Sequence, residues 1–175
     1  MTQEEIKTYI TEHYPALSGL DFDKSASDKA LEVPADKLID LMSVLYGDSE
    51  LKMDNLILLS AVDDFNGTKS TLEDGSTVMT GGTLSVYYHL ESLSLRHKFN
   101  VVVHVPRETP DVPSVTFIWQ GANFHEREGY DMIGINFTNH PNLIRILMPY
   151  DWEAGYPLRK DYKNPEFYQG MKVPY

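Results

Sequence analysis

The chain has 175 residues, of which 42% are hydrophobic, enough for one globular core with an extension and too few for two. It has no cysteine and a net charge of −11, which excludes disulfides, thiolate zinc sites and all-cysteine iron–sulfur ligation and argues against binding nucleic acid by phosphate neutralisation. No stretch approaches the roughly 20 apolar residues of a membrane span, and the acidic start Met1-Thr2-Gln3-Glu4-Glu5 does not resemble a secretory leader, so a soluble intracellular chain is expected. Residues 1–100 carry 8 basic and 17 acidic side chains, the remainder 7 and 9, so the acidity is concentrated in the first part.

Thr2 and Glu5 form a capping-box pattern, and Ile6, Tyr9, Ile10 and His13 follow at helical spacing until Pro15. A polar run, Asp21 to Lys29, leads to a short strand at Ala30 to Val33. Pro34 suits a first helical position; Leu38, Leu41, Met42 and Leu45 make an apolar stripe, and Gly47 is expected to end that helix in the left-handed conformation. Asn55 to Val62 reads as a buried strand. Asp63 to Gly82 reads as a polar excursion holding a small hairpin. Leu84, Val86, Tyr88 and Leu90 alternate with polar residues, as do Phe99, Val101, Val103 and Val105, which predicts an antiparallel pair. A proline-rich loop follows (Pro106 to Pro113), then a short apolar segment (Val115 to Trp119) and a helix from Ala122 to Ile133 that stops at Gly134.

From Pro141 onward prolines recur at positions 149, 157, 165 and 174, so a regular element is not expected in the last 25 or so residues. This segment still contains Tyr150, Trp152, Tyr156, Leu158, Tyr162, Phe167, Tyr168 and Met171. That composition suits a contact surface better than a disordered end. The chain therefore divides into a domain over 1–140 and an extended docking segment over 141–175, with Arg159 and Lys160 as its fork-shaped and point-like cations. The competing reading is that the segment wraps back onto its own domain.

Several chemistries are weak or absent. His125-Glu126 lacks the second histidine of a zinc-protease helix, since position 129 is glycine. Asp21, Asp23, Ser25, Ser27 and Glu32 fall at calcium-loop positions, but Ala26 stands where the turn needs glycine. Gly81-Gly82-Thr83 precedes a strand and lacks a lysine, so it is no phosphate cradle. Glu126, Glu128 and Asp131 with Arg127 fit a structural ion network or partner-facing helix surface better than acid–base work. A stand-alone acidic hydrolase using Glu126, Glu128, Asp131 and His140 is the remote alternative.

The run Phe124-His125-Glu126-Arg127-Glu128-Gly129-Tyr130-Asp131-Met132-Ile133-Gly134-Ile135 carries a longer message. It is followed by His140-Pro141-Asn142-Leu143, Arg145-Ile146-Leu147-Met148-Pro149, Asp151-Trp152 and Pro157-Leu158-Arg159-Lys160-Asp161-Tyr162. In order and spacing this resembles the 30 kDa subunit family of respiratory complex I, whose bacterial members are the C-type subunits and whose chloroplast-type members are the J-type subunits. The sequence departs from the family at Gly129, where a larger residue is usual, and by one apparent extra residue between Trp152 and Pro157.

The resemblance implies an α+β fold: a two-layer domain with a mixed or antiparallel sheet of four to five strands, helices on one face, and an extended C-terminal tail. It implies a cofactor-free structural subunit in the peripheral arm of a proton-translocating quinone oxidoreductase fed by NADH or another donor. The iron–sulfur clusters, flavin and quinone are expected in partner subunits: the 49 kDa-type (D-type) subunit, which holds the quinone site, and the cluster-bearing B-type and I-type subunits. The expected location is the cytoplasmic side of the inner membrane, reached only through the complex. Partner contact is expected at Glu126, Arg127, Glu128, Asp131, His140, Arg145, Trp152, Leu158, Arg159, Lys160, Asp161 and Tyr162. The alternative within the family is the equivalent subunit of a membrane-bound hydrogenase-type complex.

Overall fold

The computed structural model describes residues 1–24, 29–71 and 77–173. The first helix, α1 (Gln3–His13), opens with the expected capping box: Thr2 Oγ1 accepts the Glu5 amide, and the Glu5 carboxylate accepts the Thr2 amide at 2.8 Å. Strand β1 (Leu31–Glu32) follows, then a 3-10 turn over Ala35–Lys37 and helix α2 (Leu38–Gly47). Pro34 is extended and caps the 3-10 turn, so its fixed φ starts the descent one turn before the α-helix proper. Gly47 does not adopt the left-handed conformation. The helix instead ends on an extended Asp48, whose carboxylate accepts the Tyr14 hydroxyl at 2.6 Å and the Glu50 amide at 2.8 Å.

Strand β2 (Asn55–Asp63) pairs antiparallel with β5 (Thr83–Ser92), and β5 pairs antiparallel with β6 (His97–Pro106). On the far side β1 runs parallel to β6, giving a mixed four-stranded sheet in the order β1-β6-β5-β2. The polar excursion holds the expected hairpin, β3 (Thr68–Thr71) against β4 (Thr77–Thr80). Asp111–Pro113 is a strand, β7, although the sequence suggests loop there; it pairs parallel with β8 (Asn136–Thr138), 25 residues away at Asp111 and Asn136. The helix α3 (Ala122–Met132) lies between them. A last hairpin, β9 (Phe167–Tyr168) and β10 (Met171–Lys172), stands in the tail, where no regular element is expected.

Alternation decides which face of the sheet is covered. Leu84, Val86, Tyr88 and Leu90 of β5 and Phe99, Val101, Val103 and Val105 of β6 share one buried cluster with Ile6 and Ile10 of α1, Leu38, Leu41, Met42 and Leu45 of α2, and Ala122 of α3. The helices thus lie on one face, as an α+β two-layer fold requires. Helix α3 approaches β2 through Gly129: a Cβ there would sit 3.1 Å from the Ala61 Cβ and 3.2 Å from the Phe137 ring. The glycine that weakens the helix in isolation is what lets it close on the sheet. Among the described residues no helix is long and apolar enough to cross a membrane.

Candidate interaction surface

Helix α3 turns two of its carboxylates inward. Asp131 has no exposed surface, yet it is well compensated. Its Oδ2 accepts the amides of Ile146, Leu147 and Met148 at 3.0, 2.8 and 2.8 Å, and its Oδ1 accepts Arg145 Nη1 at 2.7 Å. Burial pushes this carboxyl up, but the Met148 amide, the Arg145 guanidinium and the other two amides outweigh it and hold Asp131 below the usual carboxylate range. Arg127 works from the same helix, donating Nε to the Ile144 carbonyl and Nη2 to the Arg145 carbonyl, each at 3.2 Å. Residues 144–148 are thereby wrapped around the C-terminal half of α3.

A second anchor fastens the chain farther along. Asp63, at the end of β2, is buried; its Oδ1 accepts Arg107 Nη1 at 2.7 Å, and its Oδ2 accepts the Lys160 amide at 2.9 Å. The other arm of Arg107 donates to Asp161. The Leu158 amide donates to the Met132 carbonyl and Arg159 Nε to the Ile133 carbonyl, the free acceptors at the end of α3. Tyr156 lies over Gly134, whose φ of +86° only glycine adopts easily and whose missing Cβ would fall 2.5 Å from the ring. The Arg159 guanidinium covers the same ring, 4.4 Å from its centroid.

The residues expected at a partner surface therefore separate into groups. Glu126 and Asp131 are correctly placed on α3, but both are buried, so neither side chain faces a partner. Desolvating Asp131 is tolerated because the fold supplies amides in place of water, whereas burial pushes the Glu126 carboxyl up to about 7. His140 has a fully covered side chain, with Nε2 donating to the Asn123 carbonyl at 3.3 Å. Arg145, Arg159 and Asp161 make the intrachain bonds described above, and Tyr162 is half-buried. Trp152 is half-buried too, bonded through Nε1 to the Gly155 carbonyl and tilted against Tyr168. Arg127 is partly covered, while Glu128, Leu158 and Lys160 are exposed. Sequence reasoning missed Asp63 and Arg107, which make the second anchor; an acid ending an apolar strand and an arginine just after Pro106 are their only sequence traces.

Large apolar side chains also stand outside. Phe117 is 68% exposed, Phe124 62%, Leu147 60% and Tyr150 94%. The first two line a depression of about 700 Å³ with Thr116, Gln120, Asn139 and Pro141 at the start of α3. Exposed aromatic groups that share a depression, as Phe117 and Phe124 do, mark contact surfaces.

On the uncovered face of the sheet, Asp23, Glu32 and His104 bring three potential ligand atoms within 4.8 Å of one another. Asp21, the first calcium-loop position, is instead paired with Lys7 at 2.6 Å, and Ser25 and Ser27 lie outside the described residues. His104 Nδ1 is 2.6 Å from Ser85 Oγ and 3.7 Å from Asp64, and Nε2 is 3.5 Å from Asp23. The neighbouring Asp64 carboxylate raises the His104 pKa, which works against a metal ligand that needs a free lone pair.

Residues 31–168 match the family described as the respiratory-chain NADH dehydrogenase 30 kDa subunit. The chain is 37% identical to the J-type subunit of the chloroplastic NAD(P)H-quinone oxidoreductase of Cryptomeria japonica over 95% of its own length and 96% of that protein. It is 45% identical to the C-type subunit of the NADH-quinone oxidoreductase of Chloroherpeton thalassium over 73% of its length, and that match spans 47% of the longer relative. Among solved structures, a trypsin-resistant fragment of Nqo5 is 27% identical, with a TM-score of 0.57, over 78% of this chain and 98% of the fragment. An archaeal membrane-bound sulfane sulfur reductase complex contains a chain of the same fold, with a TM-score of 0.55 at 22% identity over 91% of this chain and 85% of that one. With the family match covering well over half of its residues, the chain belongs to the 30 kDa subunit family of respiratory-chain NADH dehydrogenase.

Proposed function

We propose that this chain is a non-catalytic structural subunit in the peripheral arm of a quinone-reducing, proton-translocating complex, fed by NADH or another donor. It docks on the 49 kDa-type quinone-site subunit, with the cluster-bearing B-type and I-type subunits nearby. Clusters, flavin and quinone belong to those partners, and the chain reaches the cytoplasmic face of the membrane only through them. The observation that carries this reading is the exposed aromatic pair Phe117 and Phe124, which lines one depression at the start of α3. Water-exposed aromatics beside a shallow depression gain most by being covered, and such residues anchor interfaces.

The inward carboxylates support the same reading. A hydrolytic site needs acids that converge on a space open to substrate. Here Asp131 is saturated by amides and Arg145, Glu128 points to solvent, and Glu126 is sealed beneath α3. The role of the tail is to fix a shape: Asp63, Arg107 and Asp131 hold it so that Leu158, Lys160 and the region beyond Tyr162 are presented in a fixed order to a neighbour. Electron transfer between partner-held cofactors tolerates little displacement, which is what a rigid spacer supplies.

The test is assembly. Phe117→Ser with Phe124→Ser should leave the melting of the purified chain within about 0.5 kcal/mol of wild type, as for other exposed sites. The same pair should sharply reduce the intact complex on native gels of membranes. Normal complex abundance in the double variant would refute the assignment of that pair.

A further inference from the structure

Glu126 and Asp131 sit five positions apart on one helix, both without exposed surface, and the fold treats them oppositely. Asp131 meets three amides and a guanidinium. Glu126 Oε1 accepts the Val115 amide at 2.8 Å, and its Oε2 has no hydrogen-bond partner among the described residues. The neighbours supply no countercharge. His140 Nε2 is 3.9 Å from Oε2, but its N–H is directed at the Asn123 carbonyl, and Nδ1 accepts the Asn142 amide at 3.0 Å. That pair of bonds fixes the neutral tautomer, since a second ring proton would oppose the Asn142 N–H. Arg127, the next residue on α3, is committed to the carbonyls of Ile144 and Arg145. From β5 comes Tyr88, whose hydroxyl is also buried, without a hydrogen-bond partner among the described residues, and feels the field of Glu126. Ser114 also lies against the carboxyl and, with the Val115 amide, favours the charged form, but burial outweighs both.

We propose that Glu126 is a proton-binding site built into the fold. The native chain holds it as a neutral acid, with its hydroxyl in the space shared with Tyr88 and His140, and loss of that proton loosens α3 from the Val115 segment and the His140 loop. One bound proton does here what Arg145 does for Asp131: it removes a charge the interior cannot solvate. The seat of α3, which carries the anchor of residues 144–148, thereby becomes sensitive to pH in the neutral range. Burial pushes the carboxyl from its ordinary 4.5 to about 7, in agreement with the geometry.

The sign of the effect is fixed by linkage. A group whose pKa is raised on folding stabilises fully below its unfolded value, here 4.5, and that stability is lost as pH rises toward the folded value of about 7. Denaturant unfolding of the full chain should be measured from pH 4 to 8 beside Glu126→Gln, which keeps the shape and cannot ionise. The wild-type unfolding constant, relative to the variant, should rise about tenfold per pH unit through that window and level off above it. Carbon-13 NMR of the wild-type glutamate carboxyls supplies the second readout and needs no variant to fold. One carboxyl should titrate near neutrality. Parallel pH profiles for the two proteins, or titration of all glutamates near 4.5, would overturn the proposal.

Discussion

Replacing Asp131 by asparagine should free the segment that follows His140 while leaving the sheet folded. Asparagine keeps the volume and one oxygen, so some of the amides of Ile146, Leu147 and Met148 retain an acceptor. The other half of the side chain becomes an N–H facing Arg145, where Asp131 accepts at 2.7 Å. Breaking a buried pair by removing one partner costs roughly 3–5 kcal/mol, and the lower end applies because Arg145 keeps some water and the Asp131 carbonyl at 3.3 Å. About 3 kcal/mol is roughly two decades in the population of the opened segment. Trypsin reports that population directly, since Arg145, Arg159, Lys160, Lys163 and Lys172 are its targets within the segment and cleavage follows the open fraction when reclosing is fast. Cleavage at these sites should accelerate about 100-fold, with far smaller change in cleavage at Lys98, in β6. Equal cleavage rates in the two proteins would refute the claim that Asp131 organises the segment.

Arg107→Met should cost about 3 kcal/mol in denaturant unfolding, because buried Asp63 then keeps only the Lys160 and Phe65 amides. Gly134→Ala should cost at least about 1 kcal/mol for its left-handed backbone, and should also speed trypsin cleavage at Arg159 by displacing Tyr156. Gly129→Ala should destabilise as well, since the roughly 1 kcal/mol gained in helix propensity is smaller than the cost of crowding Ala61 and Phe137. Asp63 and Asp131 both have pKa values below 3.8. The stability they contribute is present above 3.8 and lost as pH falls through their depressed values, so a melting series should show loss of tail protection in that acid range.

The core was legible because periodicity alone determines it. The stripe Leu38, Leu41, Met42 and Leu45 and the alternation from Leu84 to Leu90 each name the buried face, and burial follows. The four-stranded mixed sheet with helices on one face is the expected class. Elements fixed by distant partners were not legible. β7 reads as loop because three residues next to prolines carry no period, and only pairing with β8 makes them a strand. Gly47 reads as a left-handed cap, yet Asp48 ends the helix because Tyr9 and Tyr14 hold its carboxylate. For the candidate surface, the direction of the α3 side chains was not legible in the sequence. A run with Glu126, Arg127, Glu128 and Asp131 looks solvated, and only the amides of residues 146–148, which no spacing rule connects to Asp131, reveal an interior acid.

That inversion bears on how the family motif works in this chain. If the charges of α3 were its recognition surface, apolar residues beside them would be expected inside, packed on the sheet. The structure has the reverse arrangement: Glu126 and Asp131 are covered, while Phe124, in the first turn, and Phe117, just before the helix, stand in water. Carboxyl groups buried in this way set shape, since each accepts only the amides placed for it, whereas exposed aromatics gain by being covered whatever covers them. On the proposed function, architecture falls to the buried carboxyl groups of α3 and recognition to the exposed aromatics beside it. Substituting Glu128 by lysine, a charge reversal at an exposed site on the same helix, should therefore change assembly less than the loss of Phe124 does. A larger effect from Glu128→Lys, at equal stability of both variants, would return recognition to the charges.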